Sequence, residues 1–161
     1  MSTLVVGPSY EAGLELATLA DDTRIIVPIL VPEAGLAVAV LAYVSQDGVP
    51  MRGGVYRAGS VLVQSVVRGS EVAPRVTRLP FVTPAALVVG ETVNVCWHAD
   101  ANLGRYRRQG LPNGSGLVRT GDTFADGMDA AEGAPTAQTH QTVIQLEIER
   151  VALRRRGWPD R

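Results

Sequence analysis

Apolar and polar residues alternate along most of this chain at a period of two, in short runs broken by glycine, proline and aspartate. That period belongs to β-strands, whose successive side chains point to opposite faces. The strongest run is 35–44. Leu36, Val38, Val40, Ala42 and Val44 share one face, and Ala37, Ala39, Leu41 and Tyr43 share the other. Both faces are apolar, which predicts a strand in the middle of a sheet, covered on both sides by its own chain or partly by a neighbouring subunit. A second run, Thr92–Ala99, follows a tight turn at Gly90-Glu91. It sets Val93, Val95 and Trp97 against Thr92, Asn94, Cys96 and His98.

The remaining pattern fills in around these two. Residues 4–7 predict a first strand, and 10–19 reads equally as a strand or a short helix, because short apolar runs are ambiguous by period alone. Residues 24–31 place Ile25, Val27, Ile29 and Val31 on one face. Pro28 and Pro32 put that strand at an edge or an interruption, since proline cannot donate to a ladder. Strands follow at 55–57, 61–68 and 75–80, then an extended connection at 81–84 fixed by Pro80 and Pro84. A shorter strand covers 102–108. Residues 110–133 hold six glycines, Pro112 and little periodicity, and predict a long exposed loop. The closing strand, 142–153, turns Ile144, Leu146 and Ile148 inward and Gln145, Glu147 and Glu149 to water. Regular short strands with few helix signals predict an all-β, two-sheet antiparallel sandwich, of jelly-roll type, over residues 1–153. A basic tail, 154–161, follows.

Composition narrows this picture in a few places. The 161 residues carry a net charge of -1, so no global field draws in nucleic acid. All 15 basic residues are arginine. The single cysteine, Cys96, excludes an internal disulfide and reads as a small buried hydrophobe. Ile25 to Val44 is too interrupted by Pro28, Pro32, Glu33 and Gly35 for a membrane helix. The first eight residues lack the basic and apolar regions of a secretory leader, so synthesis in a cytoplasm is expected.

Three stretches together resemble the jelly-roll domains of phage virion proteins and bacterial surface proteins, which are similar to carbohydrate-binding modules. The first is Gly35-Leu-Ala-Val-Ala-Val-Leu-Ala-Tyr43 followed by Gly54-Val-Tyr56. The second is Leu79-Pro-Phe81 with Pro84-Ala-Ala-Leu-Val-Val-Gly-Glu-Thr-Val-Asn-Val95. The third is Asp122-Thr-Phe-Ala-Asp-Gly127 ahead of the closing strand. The resemblance covers residues 23–150. It implies a structural subunit of a virion, a capsid decoration or minor capsid or tail protein, that self-associates, as a trimer by analogy, and docks on capsid or tail proteins. The alternative is a module that recognises a cell-surface glycan.

Candidate chemistry is sparse, and neither a catalytic set nor a cofactor is expected. No nucleophile elbow, phosphate loop or dinucleotide fingerprint occurs. His98, Asp100 and His140 are the one plausible metal set, to be weighed against a surface His-Asp pair. Arg105, Tyr106, Arg107 and Arg108 mix cations with a ring and form a candidate ligand surface, or a solvated edge strand protected by charge. In the tail, Arg154, Arg155, Arg156 and Trp158 have the profile of a docking anchor, an aromatic ring flanked by guanidiniums. The other reading of the tail is a frayed terminus.

Overall fold

The computed structural model describes residues 2–108, 116–138 and 140–151. The strands are numbered in chain order and pair antiparallel. One sheet sets β1 (Thr3–Val6), β14 (Ile144–Arg150), β4 (Gly35–Ala42) and β8 (Thr77–Leu87) side by side. The larger sheet runs β12 (Thr136–Gln138), β11 (Gly116–Thr120), β3 (Thr23–Leu30), β9 (Thr92–Ala99), β5 (Pro50–Arg57) and β6 (Ser60–Gln64), with β7 (Arg68–Gly69) also on β5. A three-stranded piece, β13 (Gln141–Thr142), β10 (Leu103–Arg108) and β2 (Glu15–Leu19), continues past one end of β4. The protein is an all-β, two-layer antiparallel sandwich. Among the described residues no helix is long and apolar enough to cross a membrane.

Alternation decides the core. Ile25, Val27 and Ile29 of β3 and Val93, Val95 and Trp97 of β9 meet Val40, Leu79, Leu146 and Ile148 of the opposite sheet. The segment 10–19, ambiguous in the sequence, is a strand from Glu15 onward. β11 pairs β3 only as far as Ile26, while β9 follows it to Leu30. Pro28 lies opposite Asn94 of β9, beyond the last pairing with β11 among the described residues, where its missing N–H removes none of the ladder bonds described.

Two expectations need correction. A bulge between Ala37 and Ala39 shifts the face of β4, so that Ala37 and then Val40, Ala42 and Val44 point into the core. Ala39 and Leu41 face outward yet are buried by their own chain. They lie between Glu147 and Gln145 of β14 and Pro80 and Arg78 of β8, and an Arg78–Glu147 ion pair at 2.9 Å bridges across β4. The apolar surplus of this strand therefore requires no second subunit. The stretch 81–84 belongs to β8, as an irregular excursion facing the bulge.

The second correction concerns the long loop. Leu117 to Thr120 pair with β3, and the following residues 121–133 strap across the outer face of the larger sheet. A single 3-10 turn, Phe124–Asp126, lies in this strap. Asp122, Phe124, Met128 and Glu132 of the strap are buried. They cover a second apolar cluster, Ile26, Tyr56, Cys96 and Met128. Two adjacent glycines of β5 make room on both sides. A Cβ on Gly53 would stand 2.8 Å from Val40 Cβ in the main core, and one on Gly54 would stand 2.5 Å from Met128 Sδ beneath the strap.

Candidate functional site

Strand β10 carries the arginine-rich stretch, and its alternation divides it. Leu103, Arg105 and Arg107 share one face, and Tyr106 and Arg108 the other. On the second face Tyr106 meets Tyr10 edge-on at 5.0 Å, and Tyr10 stacks on Tyr43 at 5.1 Å. Arg108 is tied to Glu11 at 2.9 Å and to the Ser9 carbonyl at 2.8 Å. The segment around Tyr10 is thereby fastened over the strand. All three rings remain partly exposed. Tyr43, on an apolar face of the 35–44 run, belongs to this outer group and not to the core.

On the first face Arg105 is buried. Its guanidinium donates to Thr142 Oγ1 at 3.2 Å and to Gln138 Oε1 at 2.9 Å, and lies 3.2 Å from His140 Nε2. Arg107 approaches both ring nitrogens of His140 and pairs with Glu15. Burial and the neighbouring Arg107 push the Arg105 guanidinium down to about 10. Burial, then Arg107 and Arg105, lower the His140 imidazole. The solvated-edge reading of this stretch fails, because β10 lies between β13 and β2, Arg105 is buried and Arg108 is tied to Glu11 and Ser9.

A second polar cluster lies under the strap. Arg24, on the outer face of β3, is fully buried and donates to Asp122 Oδ2 at 2.5 Å, to the Tyr56 hydroxyl at 2.6 Å and to the Glu132 carbonyl at 2.5 Å. It also lies over the Tyr56 ring, 4.3 Å from the centroid. Tyr56 donates onward to the Asp129 carbonyl at 2.5 Å, and burial raises its phenol. Asp22 holds the start of the strap: its carbonyl accepts from the Gly121 and Asp122 amides, and its carboxylate from the Phe124 amide at 2.9 Å. This cluster is a clasp. Nothing in the sequence pattern marks Arg24, because a charged residue on a strand reads as facing water.

The metal candidates do not come together. His98 is buried against the Phe124 ring at 5.0 Å, Asp100 is exposed, and His140 sits between Arg105 and Arg107. The surface reading of His98 is thus overturned as well. Neither of its ring nitrogens has a hydrogen-bond partner among the described residues. Burial, then Arg52 and Arg24, push its pKa down to about 4, against opposing pulls from Asp22 and Asp126. The acidic group that does converge among the described residues is Asp122, Asp126 and Asp129, of which Asp122 is already engaged by Arg24. Cys96 is a free, buried thiol, which burial holds well above its ordinary range. Arg154, Arg155, Arg156 and Trp158 lie outside the described residues, as do residues 110–115 of the expected loop.

The turn between β8 and β9 and the adjoining end of β3 carry exposed apolar side chains. A turn from Val88 to Glu91 closes through the Glu91 amide and the Val88 carbonyl, with Gly90 at φ 83° supplying the positive φ that this geometry requires. Glu91 accepts from Arg57 and from the Val88 amide, which fixes the turn. The turn is also bonded to Val31, beside Leu30. Leu30, Val88 and Val89 are 63%, 61% and 59% exposed. No protein-family model matches this chain, and no curated protein matches it.

Proposed function

We propose that this protein is a jelly-roll structural subunit of a phage-type particle, working by self-association and docking on capsid or tail proteins. The observation that carries the reading is the apolar group formed by Leu30, Val88 and Val89. Its turn is held rigid by the Arg57–Glu91 pair, so a partner would order little on binding. Exposed aliphatic side chains gathered on a fixed turn suit burial against another subunit. The resemblance of the strand pattern to virion jelly rolls supplies the class of particle and the trimer.

Light scattering of the full chain from micromolar to millimolar concentration tests this. The wild type is expected to associate, and the Leu30→Asp/Val88→Asp variant to remain a folded monomer at concentrations at least tenfold higher. An unchanged association curve for that variant would remove the apolar group from the interface. A strictly monomeric wild type would leave docking on a host particle as the assembly role. The glycan-binding reading draws on Tyr10, Tyr43 and Tyr106. Titration with cell-wall oligosaccharides, read by tyrosine fluorescence, decides it.

A further inference from the structure

Two arginines are buried among the described residues, and the fold treats them differently. Arg24 meets the carboxylate of Asp122. Arg105, 4% exposed, meets no carboxylate among the described residues; its partners are the neutral groups of Thr142, Gln138 and His140. A buried cation without a counter-charge is expensive to desolvate, so an uncompensated guanidinium calls for an anion.

The surroundings sharpen this. Arg107, two residues along on the same face, places Nη1 3.3 Å from His140 Nδ1 and 3.2 Å from Nε2. A neutral imidazole offers one acceptor nitrogen, and its other nitrogen carries a proton. Two guanidiniums therefore converge on a ring that can accept at one nitrogen only. The Nε groups of both Arg105 and Arg107 are buried without a hydrogen-bond partner among the described residues. Glu15 answers one of the two positive charges through Arg107. One charge and several N–H donors are left over, and acceptors are in short supply.

We infer that Arg105, Arg107 and His140 form a binding site for a small oxyanion of the phosphate or sulfate type. The donors come from β10 and from the turn ahead of β13, with Gln138 of β12 alongside. They belong to three separate side chains, and a tetrahedral oxyanion offers them more acceptor atoms than a carboxylate does. Arg107 and His140 are only partly buried, which leaves an approach from solvent. Entry of the ion would take over the guanidinium N–H donors now directed at the imidazole, while the protonated ring nitrogen of His140 donates to the ion as well, so that each guanidinium forms a charge-assisted hydrogen bond.

Calorimetric titration of the full chain at constant ionic strength tests the site, with inorganic phosphate, sulfate, glycerol phosphate and acetate as separate probes. Saturable binding of phosphate is expected, weakened at least tenfold in Arg107→Gln and in His140→Ala. Those two variants are preferred to Arg105→Gln because their side chains are less buried. Tighter binding of glycerol phosphate than of phosphate would mark a phosphate ester as the natural source, and equal or weaker binding would mark the free ion. Sulfate binding comparable to phosphate would support the general tetrahedral class. Acetate binding as tightly as phosphate would overturn the tetrahedral assignment. Absence of saturable phosphate and sulfate binding, or undiminished binding in both variants, would overturn the site.

Discussion

The Arg24–Asp122 pair joins residues 98 positions apart and is fully buried on both sides. Removing one partner leaves an uncompensated charge beneath the strap, so Asp122→Ala should cost about 3–5 kcal/mol of unfolding free energy. Arg24→Met/Asp122→Leu should recover most of that loss, because an apolar pair removes the desolvation penalty along with the attraction. Denaturant unfolding of the three proteins checks both statements. A second residue-scale prediction concerns Ala58, which with Gly59 forms the two-residue turn between β5 and β6 at φ 49° and 82°. Such turns need positive φ at both positions, and alanine adopts it poorly. Ala58→Asn should therefore raise the unfolding free energy by about 1 kcal/mol, read from the urea midpoint. Local pattern revealed part of this level. Alternation placed Trp97 and Cys96 on opposite buried faces. It could not show Arg24 or Arg105 as interior, because each is made tolerable by groups distant in the chain.

At the scale of elements, the strands were legible where they carry their own pattern and illegible where a neighbour creates them. β9 and β14 have clean period-two runs. β11 is five residues between glycine-rich flanks, and it is a strand because β3 offers it an edge up to Ile26. Proline rules put β3 at an edge or an interruption without revealing that β11 and β9 flank it on both sides at Ile25 and Ile26. The strap is the element most exposed to acid. His98, packed against Phe124 of the strap, has its pKa lowered by burial from the ordinary 6.5 to about 4. The unfolded chain therefore takes up this proton first as the pH falls. The stability that neutral His98 provides is complete above about pH 6.5 and is lost progressively toward pH 4, by about 3 kcal/mol in the limit. The urea midpoint should fall across that window in the wild type. His98→Leu should flatten the fall, although His140, also lowered, keeps a part of it.

At the scale of the molecule, the two-layer architecture followed from the spacing of strands and turns, while the second layer of packing outside the larger sheet did not. That outer layer is assembled from a clasp, an apolar cluster and a strap whose polar sequence disguised it as loop. The candidate oxyanion site is half visible in the sequence: Arg105 and Arg107 stand out as a ligand surface and His140 as a metal candidate, and only the fold sets them together. The paired glycines of β5 have a mechanical consequence for the whole. At Gly53 and Gly54 the larger sheet is reduced to bare backbone, with Val40 pressing from one side and Met128 from the other. The main core and the cluster under the strap are therefore separated there by a single peptide. Any change that thickens the interior at Val40 would be carried through that peptide to the strap, so repacking of the sandwich and seating of its outer cover cannot be adjusted independently.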